Sequence, residues 1–188
     1  FLVLLAVVPA AALLYAQGYL DGKPPGDTRR FYVLFLLLIA GMMTVVMAAD
    51  WVLFLLSWEI MGLSAYLLVM WDWRSFANTK AAWVYLLTTH VAGSGILVGA
   101  CALSLVSGDF SVAGTTAALQ GLFEATPAYG HLLVGLFALG FAAKAALFPL
   151  AYWLPGAHAA APAPVSAVLS GLMVKMGIYG MIRLFVFM

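Results

Sequence analysis

Charge is scarce in this sequence: Asp, Glu, Lys and Arg make up 8% of its 188 residues, where an ordinary soluble domain carries about a quarter. Apolar side chains make up 66%, so water cannot be the solvent for most of the surface. The charges nearly cancel, eight basic against seven acidic for a net of +1, which excludes a basic face for nucleic acid and an acidic tail. Cysteine is nearly absent too. The lone Cys101 excludes an intramolecular disulfide, a thiolate metal cluster and an iron–sulfur site, and reads as a small packing residue. A P-loop, a Rossmann glycine pattern, paired histidines at metal-ligand spacing and a credible Ser-His-Asp set are also missing. Catalysis by the chain itself, and a metal or cofactor held by it, are not expected.

What is present is a succession of apolar runs. About 20 apolar residues cross a hydrocarbon core of about 30 Å, and residues 1–16, 31–49, 51–70, 81–106, 130–154 and 165–187 meet or approach that length. The pattern predicts an all-α integral membrane bundle of about six transmembrane helices. Both ends lie inside apolar runs, so the chain is expected to be an internal piece of a longer protein, with residues 1–15 the tail of a spanning helix rather than a cleavable signal. Only Ala48, Ala49 and Asp50 separate the second and third runs, which predicts a tight hairpin. The longest connection, residues 107–129, has room for a short surface helix.

Lys and Arg are retained in cytoplasmic loops. Lys23, Arg29, Arg30, Arg74 and Lys80 fall in alternate loops, while the opposite loops hold only Asp50, Asp109 and Glu124. That pattern places the first, third and fifth connections in the cytoplasm. Trp51, Trp71, Trp73 and Trp153 stand near predicted helix ends, as interfacial aromatics do.

Four ionisable residues belong to no loop: Glu59, His90, Lys144 and Lys175. At about 1.5 Å per residue from the nearest helix end, each lies roughly 12–16 Å deep, near the midplane. A charge there costs on the order of 3 kcal/mol on insertion scales, so it marks function by default. Two blander readings stand beside that one: Glu59 pairing with a lysine only to hold helices together, and His90 as a neutral imidazole bonded to a neighbouring helix. Gly62, Gly93, Gly140 and Gly171 lie about one turn from these groups and leave bare backbone for water or a partner side chain. Gly95 and Gly99 read as plain helix packing. Pro149 removes a backbone donor, so the fifth run should be kinked or broken there. Such breaks usually line a hydrated cavity or ion site, and a simple structural kink is the alternative. His158, in the turn before the last run, reads as surface polarity.

Three stretches together carry a resemblance covering nearly the whole chain: Trp58-Glu59 followed by Gly62-Leu63-Ser64-Ala65-Tyr66-Leu67; Lys144-Ala145-Ala146-Leu147-Phe148-Pro149 with Trp153-Leu154-Pro155; and Ala161-Pro162-Ala163-Pro164-Val165-Ser166-Ala167 leading to Lys175. They resemble the proton-translocating membrane subunits shared by respiratory complex I, Mrp-type cation/proton antiporters and membrane-bound hydrogenases. The run from Ser170 to Gly180 and the pair Thr89-His90 most resemble the hydrogenase-4 and formate hydrogenlyase large membrane subunit. Ala151 and Gly156 depart from the His and the Asp or Arg that many relatives have.

The resemblance implies that residues 1–188 are helices three to eight of a fourteen-helix subunit, about half of an inverted-repeat antiporter-like fold with one helix broken at Pro149. It implies a proton-translocating, non-catalytic subunit of an NADH:quinone oxidoreductase-like or hydrogenase-type complex, with an Mrp-type sodium/proton antiporter subunit as the alternative. Lys144 would be the switching proton carrier, Glu59 its movable counter-ion and Lys175 the acceptor, with His90, Ser166 and Ser170 as relays through water. The expected partners are other membrane subunits and a peripheral redox module, in which iron–sulfur clusters and nickel–iron or flavin would reside. The expected location is a prokaryotic cytoplasmic membrane.

Overall fold

Proline and apolar composition set the element boundaries in the structure, a computed structural model that describes residues 1–186. Phe187, the predicted end of the last run, lies outside the described residues. Helix α1 spans Leu2–Tyr19. Helix α2, Pro25–Met47, begins six residues before its apolar run. Pro25 suits a first turn because its missing N–H would have no helical partner, and Asp27 beside it favours the positive end of the helix.

The predicted hairpin is present: residues 48–50 join α2 to α3, Trp51–Val69. Asp50 caps α3 by accepting from Leu53 N at 2.8 Å, an interaction worth about 1 kcal/mol. Helix α4, Phe76–Ser107, runs 32 residues, about 48 Å. It ends on Gly108, whose φ of 80° is the left-handed cap that glycine adopts without strain. The long connection does hold a helix, α5, Val112–Ala125.

The fifth run differs from its expected form. Helix α6 stops at Lys144, five residues before the predicted break at Pro149. Pro149 has no N–H for the carbonyl of residue 145 and its ring clashes there, so residue 145 cannot continue the helix. Ala146 turns the chain at φ 50°, and a 3₁₀ turn, Leu150–Trp153, leads into α7, Leu154–Ala160. The last run is also segmented, into α8, Ala163–Val168, a π-turn, Leu169–Met173, and α9, Val174–Val186.

Among the described residues, five helical runs are long and apolar enough to cross a membrane: Leu2–Tyr19, Pro25–Met47, Trp51–Val69, Phe76–Ser107 and Ala163–Leu184. The chain is thus a multi-pass membrane protein, and the broken α6 packs among these helices against α4 and α9.

Helices meet where side chains are small, as expected when lipid supplies no hydrophobic drive between them. A Cβ on Gly95 would lie 2.6 Å from Leu136 O, which fixes the close crossing of α4 and α6. An aromatic seam of Trp51, Phe54, Trp58, Phe137 and Phe141 fills the centre, with neighbouring rings 5.0–6.1 Å apart. The two ends of the bundle are distinct. At one, Arg30 in the second turn of α2 stacks over Trp71 of the third connection, so the two basic segments adjoin. At the other, Trp51 N donates to Phe110 O and Val112 N to Ala49 O, joining the two acidic loops. Trp51 Nε1 adds a 2.7 Å bond to Thr115 Oγ1 and seats α5 there.

Candidate functional site

Because α6 ends at Lys144, the lysine is a C-terminal residue, where an ammonium is favoured by the helix dipole. Its side chain turns inward and is 1% exposed. Nζ donates to Tyr85 OH at 2.9 Å and stands over the rings of Tyr85 and Trp58, 5.1 and 5.7 Å from their centroids. Such faces attract a desolvated cation by about 2 kcal/mol. Tyr85 in turn leans on Trp153, ring centroids 5.1 Å apart. Trp153 Nε1 donates to Ala143 O at 2.9 Å, a carbonyl at the helix end that also accepts from Ala146 N at 3.2 Å.

Glu59 was expected beside Lys144. Instead Glu59 Oε2 lies 2.7 Å from His90 Nε2 on α4, the only ion pair among the described residues. His90 Nδ1 faces Leu86 O at 3.1 Å, which fixes the ring, while Nε2 lies close to the carboxylate without a well-aligned hydrogen bond. The pair opens on a groove of about 440 Å³ between α3 and α4, lined by Leu56, Gly93, Leu97 and Phe110 with Glu59 and His90 themselves.

The two arrangements meet at Gly62, one turn beyond Glu59. A Cβ there would lie 3.4 Å from His90 Cε1 and 3.6 Å from Lys144 Nζ. Gly62 is thus the bare patch anticipated from the sequence. Gly140 is not, since a Cβ on it would meet Ala92 O at 2.9 Å; nor is Gly171, which packs on Val8 of α1.

Lys175 is elsewhere. It is exposed on the flank of the bundle, and its Nζ donates to Ser170 O at 2.8 Å, a carbonyl in the π-turn. Ser170 Oγ donates to Ser166 O at 3.1 Å. Ser166 Oγ meets His158 Nδ1 at 2.7 Å, which makes His158 a half-buried bonded group rather than surface polarity. The structure therefore brings together Glu59, His90 and Lys144 in one cluster, and His158, Ser166, Ser170 and Lys175 in another. Tyr85 was missed from the sequence. The available signal was the polar run Tyr85, Thr88, Thr89 and His90 in the middle of an apolar helix.

NAD(P)H-quinone oxidoreductase chain 4 of Microcystis aeruginosa is 40% identical over 183 residues, 97% of this chain and 32% of the relative. The Thermosynechococcus vestitus counterpart is 37% identical over 182 residues, 97% of this chain and 33% of the relative. The chain thus spans about a third of the length of the curated relatives it matches. Among solved structures, the Mrp complex from Dietzia sp. DQ12-45-1b superposes with a TM-score of 0.85 at 30% identity, covering 96% of this chain and 19% of that one. The membrane-bound sulfane sulfur reductase, an archaeal respiratory membrane complex, gives a TM-score of 0.84 at 27% identity, over 96% of this chain and 36% of that one. Residues 48–188 match the family described as NADH:quinone oxidoreductase/Mrp antiporter, TM; that match spans well over half of the chain, which therefore belongs to this family of antiporter-like membrane subunits.

Proposed function

We propose that the chain is about half of a proton-translocating subunit in a respiratory or hydrogenase-type redox complex of a prokaryotic cytoplasmic membrane, carrying one part of the proton path. It would correspond to helices three to eight of a fourteen-helix subunit. The observation that carries the reading is Lys144, 1% exposed at a broken helix end, with a mobile-length carboxylate, Glu59, on the facing helix. A lone buried ammonium is costly unless paired, and a carboxylate that approaches and withdraws makes its proton alternately kept and released. Lys144 is the carrier in this scheme, Glu59 the counter-ion and Lys175 the acceptor. His90, Ser166 and Ser170 are relays, and water spans the gap between the two clusters.

The partners are neighbouring membrane subunits and a peripheral redox module holding iron–sulfur clusters with nickel–iron or flavin; this chain binds no cofactor. The hydrogenase-type branch is favoured by the wording of Ser170–Gly180 and by the Thr89-His90 pair, whose histidine touches Glu59. An Mrp-type sodium/proton antiporter is the second reading, supported by the 30% identity to the Dietzia Mrp complex.

In the full-length protein reconstituted in vesicles, Lys144→Ala should abolish coupled proton uptake while the complex still assembles; uptake at the normal rate would refute the carrier role. Metal analysis of the complex purified in mild detergent separates the two readings. Bound iron, with or without nickel, is expected for the redox complex, whereas sodium-dependent proton flux without redox metals would establish the antiporter.

A further inference from the structure

Glu59 and Lys144 are each held by a different side chain of one helix. His90 takes the carboxylate at 2.7 Å, and five residues earlier Tyr85 takes the ammonium at 2.9 Å. The His90 contacts constrain where a ring hydrogen can sit. Nδ1 faces Leu86 O, and a carbonyl only accepts, so Nδ1 bears a hydrogen. Nε2 and Glu59 Oε2 at 2.7 Å would then be two bare acceptors unless one more proton lies between them. Proton arrival converts neutral imidazole and carboxylate into an imidazolium–carboxylate pair; proton loss leaves two acceptors that repel and frees the carboxylate. No other bond is made or broken.

The freed carboxylate has one evident destination. His90 Cε1 and Lys144 Nζ flank the same bare position at Gly62, and Glu59 lies one turn away on that helix. Lys144 waits without a carboxylate, stabilised by the Tyr85 hydroxyl and two ring faces. Tyr85 OH can pass its own hydrogen to Gly62 O at 3.3 Å, which leaves its oxygen lone pair directed at the ammonium.

We propose that α4 is a proton-dependent latch: protonated His90 withdraws Glu59 from Lys144, and Tyr85 holds the lysine in the interval. His90 and Tyr85 are positioning residues here, and the inference rests on Lys144 being the carrier. The titratable groups around His90 are Glu59 from α3, Lys144 from α6, Tyr85 on its own helix and Cys101 farther along the same groove. Tyr152 of the 3₁₀ turn is bonded to Thr88, His158 of α7 to Ser166, and Glu124 of α5 lies in the outer connection.

The test uses the full-length subunit in its complex, in vesicles, with proton uptake followed as a function of pH. His90→Gln keeps a hydrogen-bonding side chain but cannot titrate, so uptake should fall about tenfold and its pH profile should lose one inflection. Tyr85→Phe keeps the ring and loses only the hydroxyl; uptake should fall about tenfold at every pH with the inflections intact, as expected for one hydrogen bond to a charged group. An unchanged pH profile in His90→Gln, or a normal rate in Tyr85→Phe, overturns the latch. Should His90→Gln not assemble, infrared spectra of the unmodified complex decide: the carboxyl band assigned by Glu59→Gln must titrate together with an imidazole band, and independent titration overturns the proposal. Normal uptake in Lys144→Ala would instead remove the carrier reading beneath it. Loss of uptake there with a normal His90→Gln profile removes the latch alone.

Discussion

Lys144 and Lys175 are two lysines of one proposed relay set in opposite surroundings. Lys144 is enclosed by Trp58 and by Tyr85, which leans on Trp153, at the end of a helix; Lys175 stands on an open flank, bonded to a π-turn carbonyl. An enclosed ammonium is governed by the few groups that touch it, so small displacements of Glu59 change its state. An exposed one is governed by whatever covers the flank. In the proposed scheme the first would be a switch built within this chain, and the second a terminal that a neighbouring subunit covers.

Arginine substitution breaks the comparison most sharply, because a guanidinium stays protonated at any accessible pH. Lys144→Arg should lower coupled proton uptake about 100-fold, about 2.7 kcal/mol of barrier, since the larger planar group neither fits the aromatic enclosure nor releases a proton. Lys175→Arg keeps the charge on an open surface and should cost about tenfold; a normal rate there would mean that Lys175 supplies charge and carries no proton. Stability should order the two sites differently. Lys144→Met removes a buried charge whose expected counter-ion is already engaged by His90, and should leave the thermal unfolding of the detergent-solubilised protein unchanged or stabilised by about 1–4 kcal/mol. Lys175→Met should change it by no more than about 0.5 kcal/mol. The smallest effect on the enclosure is expected from Trp153→Phe, which keeps an aromatic ring behind Tyr85 and loses the bond to Ala143 O. About 1 kcal/mol of stability should be lost, read from the same thermal unfolding.

Helix existence was legible because long apolar runs and their breaks obey the thickness of a bilayer. The hairpin at residues 48–50 and the helix in the long connection followed from spacing alone. Pro149 announced a broken helix, yet placed the break five residues late: a proline disturbs the turn before it, and how far back the chain unwinds depends on partners such as Trp153 that are distant in sequence. The π-turn at Leu169–Met173 left no mark in composition. Ionisable groups within the helices were legible from depth, since no loop could claim Glu59, His90, Lys144 or Lys175, although of the four only Lys144 is buried. Their pairing was not. Glu59 and His90 meet across 31 positions, and helix rotation decides which of several side chains at the same depth face one another. Tyr85 was hidden for a related reason, as a tyrosine in an apolar helix is ordinary until its hydroxyl is seen to receive an ammonium.

Near the end of the last helix, Arg183 donates to the carbonyls of Val45 and Ala48, and Tyr179 OH to that of Val46. The last turn of α2 is thereby riveted to α9, and through the three-residue hairpin so is the start of the helix bearing Glu59. A bundle fastened at one rim cannot slide apart evenly. The hairpin that starts α3 and the end of α9 are therefore held as one piece at that rim.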